Sequence, residues 1–189
     1  MTGGRRGWRT ATVAAVLAVP ALLSGCEAAR LLDLLEGVRL VGVVTSHRHP
    51  DHIQALAGVL KAHDVWNGAH PADADAIAEQ VGVTPDRMLA HGDTLTVGRW
   101  AVTVLHTPGH TEGSISFKLP SSQVLTGDAL FPGGVGKTEG PDAFAEAIRS
   151  AERHLLSLPG ETRVSPGHGD DTLVEREAPQ LDAWKARGW

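Results

Sequence analysis

This sequence predicts one layered α+β domain with mixed sheets, and three observations carry that reading. Strand-like and helix-like segments alternate from residue 27 onward. The composition is ordinary globular usage, 42% apolar and 21% charged over 189 residues, enough to bury a substantial core. Short β-branched runs end repeatedly in turns rich in Gly, Pro, His and Asp. Such turns are where open α/β sheets carry their ligand sites.

The elements follow in order. A helix is expected over 27–36, then a buried strand over 39–45, where the chain is apolar and β-branched. Apolar residues at helical spacing fill 51–62, with Pro50 suited to a first helical turn. A strand near 65–69 and a helix near 72–81 come next. Gly98, between strands over 94–97 and 100–106, predicts a tight hairpin. Strands near 114–119 and 123–127, a helix near 141–156, a strand near 162–165 and a helix near 173–186 complete the domain. No solenoid repeat or low-complexity linker interrupts this order.

The chemistry concentrates in His47-Arg48-His49-Pro50-Asp51-His52, three imidazoles and a carboxylate in the turn after the 39–45 strand. Three later turns repeat that setting, placing His110, Asp128 and His168 just past strand-like segments. Taken singly, each is an ordinary polar loop residue. Recurring at one structural position beside the first cluster, they argue for a metal site.

These four motifs, in this order, resemble the metallo-β-lactamase superfamily, and within it the small glyoxalase II-like (hydroxyacylglutathione hydrolase-like) hydrolases. The resemblance runs from about Glu27 to Trp189. It implies an αββα sandwich and two metal ions. One would be held by His47, His49 and His110; the other by Asp51, His52 and His168, with Asp128 between them. His63, His70, His91, His106 and His154 match no ligand position and are expected at the surface or in packing.

Five neutral imidazoles and two carboxylates supply about −2 against +4 from two divalent ions. A shared water is then strongly acidified, giving a hydroxide nucleophile at neutral pH, while an ion polarises the substrate carbonyl. Asp51 is the candidate catalytic carboxylate, orienting the hydroxide and carrying a proton to the leaving group. The expected reaction is hydrolysis of a thioester, ester or lactone. An all-N/O donor set suits Zn²⁺ and also accepts Fe or Mn. Relatives that oxygenate persulfides with a single iron keep nearly the same residues, so an iron-dependent oxidoreductase stays open beside the hydrolase.

The expected partner is a small acyl substrate. A net charge of −5 argues against nucleic acid. Lys137 lies where glyoxalase II carries a basic residue for glutathione, but Thr138 and Glu139 replace the accompanying aromatic. It is a candidate to attract an anionic substrate group, with a solvated loop lysine as the alternative. Gly134-Val-Gly-Lys-Thr138 imitates a phosphate loop, yet that motif needs glycine at position 131, which is Phe. Only 21 residues follow His168, room for one helix, and Trp184 and Trp189 are expected to dock there as packing.

Residues 1–26 read in two ways. Arg5, Arg6 and Arg9 precede an apolar run over 11–23 and then Leu23-Ser-Gly-Cys26, an arrangement like a lipoprotein signal with Cys26 lipidated. That reading gives an exported, membrane-anchored protein. In the other, residues 1–26 stand, through a shifted start, in place of the family's opening strands and their Asp-Pro-Gly turn, and the protein is cytoplasmic. An apolar strand is the simplest alternative for the run itself. Loss of the opening strands would leave a sheet edge unpaired. It would also leave open a non-catalytic protein that keeps the ligands but lacks part of the scaffold.

Overall fold

The computed structural model describes residues 39–189, Leu35 and the backbone of Thr12–Leu17. Cys26 and nearly all of the helix expected over 27–36 lie outside the described residues.

The first sheet is parallel, in the order β1 (Thr12–Leu17), β2 (Arg39–Thr45), β3 (Trp66–Ala69) and β4 (Arg87–Met88). The second is mixed, in the order β10 (Thr172–Leu173), β9 (Arg163–Pro166), β8 (Gln123–Gly127), β7 (Ile115–Leu119), β6 (Trp100–His106) and β5 (Thr94–Val97). β8 and β9 run parallel, and the other neighbours in that sheet are antiparallel. Gly98, at φ 61°, turns the β5–β6 hairpin with Val97 paired to Trp100, as its position predicts.

β2 shows why four layers form. Successive residues on a strand face opposite sides. Val43 enters a core with Ile53, Leu56, Val59 and Ile77 from the helices α1 (Pro50–Ile53), α2 (Leu56–Ala62) and α3 (Pro71–Val81). Its neighbour Val44 joins Leu95, Val102, Val104, Ile115 and Phe117 in a core between the sheets. β6 repeats the logic: Val104 faces the inter-sheet core, while Leu105 packs with Ile148, Leu155 and Trp184 on the far side. Those belong to α4 (Pro141–Ser150), its continuation as a π turn (Ala151–Leu155), and α6 (Leu181–Arg187), which follows the short α5 (Val174–Glu177). Helix, sheet, sheet and helix layers result, the αββα sandwich.

Two expected helices are interrupted. The 51–62 segment divides at Gln54 and Ala55 into α1 and α2, with Pro50 opening the first turn as expected. The 173–186 segment breaks at Ala178–Gln180, a 3₁₀ turn containing Pro179, whose ring nitrogen offers no N–H to the helix ladder. β1 lies within the apolar run over 11–23 and pairs along β2, so the edge of β2 is covered by a strand. No helix among the described residues is long and apolar enough to cross a membrane.

The two tail tryptophans part company, and only Trp184 takes the packing role expected of both. Trp184 is 3% exposed in the core against β8 and β9, whereas Trp189 is 69% exposed. Gly188, at φ 73°, ends α6 and turns the chain away from that core. Trp184→Ala is expected to lower stability by about 3–5 kcal/mol, while Trp189→Ala stays within about 0.5 kcal/mol. Chemical denaturation of both variants checks this pair of values.

Candidate metal centre

The strand directions explain why the motifs meet. β6, β8 and β9 point the same way in the second sheet, so the turns after all three open at one end. β2 delivers its turn to that end as well, because the Ile115 amide at the start of β7 donates to the Ser46 carbonyl at 2.9 Å. His47, His49, Asp51 and His52 leave the end of β2, and His110 follows β6. Asp128 follows β8 and His168 follows β9.

All seven side chains converge. His47, His49 and His110 form one group, His47, His52 and Asp128 a second, and Asp51, His52 and His168 a third, with donor atoms in each group within 4.8 Å of one another. His110 Nε2 lies 2.8 Å from His49 Nδ1 and 3.2 Å from His47 Nε2. His52 Nε2 lies 3.1 Å from His168 Nε2 and 3.3 Å from Asp128 Oδ1. Asp128 Oδ2 is 3.5 Å from His110 Nε2, so this carboxylate stands between the two halves. Asp51 Oδ2 is 2.9 Å from His168 Nε2.

The outward nitrogens show what the inward ones carry. His110 Nδ1 donates to the Lys137 carbonyl at 2.6 Å. A carbonyl can only accept, so the proton sits on Nδ1 and His110 Nε2 presents a lone pair inward. His47 Nδ1 and His52 Nδ1 both face the Ser46 hydroxyl, at 3.2 and 3.4 Å, and each therefore points Nε2 inward. Lone pairs and carboxylates facing one another repel unless a cation lies among them. Asp128 Oδ1 is buried without a hydrogen-bond partner among the described residues, although His52 Nε2 lies 3.3 Å away. A donor set of imidazole and carboxylate with an orphaned buried oxygen fits a divalent metal.

Titration agrees with that arrangement. Burial, and then His52, His110, His49 and His168, push His47 far below its ordinary 6.5. His49 is shifted the same way by burial and His110, against the pull of Asp51 and Asp128. Both rings are therefore neutral and ready to ligate. For Asp128, burial works to raise the carboxyl, but His52, His110 and His168 outweigh it and hold it below the ordinary 3.8.

Close backbone approach is built in. A Cβ on Gly167 would sit 2.5 Å from His52 Cε1 and 2.6 Å from Asp128 Oδ1, so a side chain there would occupy the space between donors. One on Gly136 would lie 2.0 Å from the Asp128 carbonyl oxygen.

One residue that the motifs do not contain organises the centre. Asp73, 1% exposed on α3, accepts four hydrogen bonds. Its Oδ2 takes the Arg48 amide at 2.9 Å and the Thr111 hydroxyl at 2.7 Å; its Oδ1 takes Arg48 Nη1 at 2.8 Å and the Gly113 amide at 3.0 Å. Arg48 sits between His47 and His49, and Thr111 adjoins His110. One carboxylate thus ties the turn after β2 to the turn after β6. Nothing in the sequence marks it, since it is one of several acidic and small residues in the first turns of a helix.

The mouth is a cavity of about 420 Å³ lined by His49, His110, Lys137, Thr138, Glu139 and Trp189. Trp189 Nε1 donates to the Thr138 carbonyl at 3.1 Å. The exposed tail residue thus borders the site, where the sequence suggests only packing. Lys137 contributes its carbonyl to His110 and its side chain to the rim. Of the histidines expected in surface or packing positions, His70 stacks on His106 at 3.9 Å and His91 contacts His154 at 4.5 Å between ring centroids.

Known proteins resemble this chain at the level of family and fold. A family profile described as the metallo-beta-lactamase superfamily matches residues 23–168. The chain is similar to the hydroxyacylglutathione hydrolase of Fuscovulum blasticum, 37% identical over 152 residues covering 78% of this chain and 56% of that protein. It is equally similar in extent to the mitochondrial persulfide dioxygenase ETHE1 of Homo sapiens, 33% identical over 156 residues covering 82% of this chain and 58% of that one. The chain thus spans a little over half the length of either. Among solved structures, TTHA1623 in a di-iron-bound form superposes with a TM-score of 0.66 and 35% identity, covering 82% of this chain and 84% of that one.

Two outcomes follow from this geometry. Asparagine at 73 would offer one acceptor oxygen to four donors, leaving two donors facing an amide NH₂ whichever way it flips. Asp73→Asn is therefore expected to weaken metal binding about 10–100-fold, read by competition with a chromophoric chelator. Separately, unfolding returns His47 and His49 to their ordinary 6.5, so below that pH the unfolded chain binds protons that the native protein refuses. Stability of the metal-free protein should fall as pH drops below about 6.5, visible as a declining denaturant midpoint between pH 8 and pH 5. A flat profile contradicts it.

Proposed function

The chain belongs to the metallo-β-lactamase superfamily, and we propose that within it this protein is a dinuclear metal-dependent hydrolase of thioesters, esters or lactones, similar to glyoxalase II. The observation that carries the reading is the position of Asp128, between His52 on one side and His110 on the other. His47, His49 and His110 would hold one ion and Asp51, His52 and His168 the other, with Asp128 shared. Divalent ions there would supply an acidified water and a Lewis acid for the substrate carbonyl. Zn²⁺ suits the donors, and Fe or Mn is compatible with them.

The chain's own residues do the rest. Asp51 turns Oδ2 toward His168, which leaves Oδ1 to accept a proton from the attacking water and pass it to the leaving group. A thiolate leaving group needs little of that help. Ser46 holds the His47 and His52 rings, and the Lys137 carbonyl holds His110. The Lys137 ammonium at the rim would draw an anionic group of a small acyl substrate toward the mouth.

A second reading, iron-dependent persulfide oxygenation, is supported by the likeness to the human dioxygenase, while the di-iron structure supports iron as a metal for either reading. For location, we propose the cytoplasm, with export and a lipid anchor at Cys26 as the competing outcome.

The deciding experiment combines elemental analysis with a substrate panel. The hydrolase reading expects about two metal equivalents, turnover of S-lactoylglutathione, a simple ester or a lactone, and a kcat loss of about 10²–10⁴-fold in Asp51→Asn. Oxygen consumption with a persulfide and no hydrolysis would favour the dioxygenase. Bound metal without turnover of any substrate, persulfides included, would mark a non-catalytic protein.

A further inference from the structure

A second cavity, of about 440 Å³, opens behind the turn that carries His110 and is lined by His91, His106, Pro108, Glu146, Arg149, Ser150, Arg153 and His154. Its volume is in the range of small-molecule sites, about 300–1,000 Å³. None of these residues belongs to the metal centre.

Its polar groups are mostly donors. His91 Nδ1 accepts the His106 amide at 3.2 Å, so the neutral ring carries its proton on Nε2. The one carboxylate, Glu146, is engaged by Arg149 through both Nε and Nη2. Arg153 has no carboxylate against its guanidinium among the described residues. The backbone brings these groups to one side. α4 runs into the π turn, where the Leu156 amide reaches back five residues to the Ala151 carbonyl at 2.8 Å. Arg153 and His154 lie in that wider turn and line the cavity together with Arg149, and π turns of this kind recur at functional sites. Burial lowers the titration of His154, and the charged neighbours that add to the shift, His91, Arg153 and His106, are all cationic when protonated.

We propose that this cavity is a binding site for a small organic molecule bearing a carboxylate or phosphate group. Arg153 and the Nε2–H of His91 receive the oxyanion, with Arg149 as a further guanidinium at the rim. Pro108 and the imidazole faces border the remainder of the ligand. The site abuts the metal centre's framework: Ser150 Oγ donates to the Pro108 carbonyl at 2.7 Å, two residues before His110.

The test is calorimetric titration of the metal-loaded protein with inorganic phosphate and, separately, with succinate at constant ionic strength. Saturable one-to-one binding of at least one anion is expected, weakened about tenfold or more by Arg153→Ser. Arg153 is exposed, so the substitution should leave the fold intact, checked by circular dichroism. Histidine NMR should show the His91 and His154 signals moving on titration. Binding of one anion alone supports the site and identifies its head group. No saturable binding of either, or binding that survives Arg153→Ser unchanged, overturns the proposal.

Discussion

Mutual repulsion at the end of the two sheets is the constraint that the rest of the structure serves. Five imidazoles and two carboxylates face inward within a few ångströms, several with lone pairs directed at one another. A proton on one ring nitrogen relieves a single contact, whereas a divalent ion would relieve several at once. The buried, unpartnered oxygen of Asp128 makes the deficit plain. A divalent cation would offset this repulsion, and the fold holds the donors where such an ion could meet them.

It does so with backbone placement and a few polar ties. β2, β6, β8 and β9 end at the same edge, and each contributes its next turn to the centre. Gly136 and Gly167 let main chain approach where a side chain would displace Asp128 or His52. Ser46 sets two rings with one hydroxyl, while Asp73 fastens the β2 turn to the β6 turn through four hydrogen bonds. Burying that carboxylate is tolerable because each oxygen meets two donors, one of them from Arg48. The helix layers stiffen the outer faces through cores of alternating strand residues, so rigidity at the centre derives from packing far from it.

Much of this is legible in the sequence, for physical reasons. Val43 and Val44 sit in a run whose β-branching and apolarity mark a buried strand regardless of context, and the bounds of that strand agree with the expectation. The donor residues were visible because His and Asp in Gly- and Pro-rich turns after strands are few and chemically specific. Helix interruptions at Gln54–Ala55 and Pro179 are not legible in the pattern, since periodicity continues across them. Asp73 carries no mark in the sequence because its role exists only once α3 packs against two distant turns. The Trp189 position depended on a single positive-φ glycine at 188, which local spacing does not reveal.

X-ray diffraction recorded on either side of the bound metal's absorption edge tests the central claim most directly. Two anomalous peaks are predicted, one about 2.0–2.2 Å from nitrogens of His47, His49 and His110, the other at like distance from Asp51, His52 and His168, with Asp128 contacting both. Peaks remote from these residues, or a metal-saturated crystal in which Asp128 touches no ion, would contradict it.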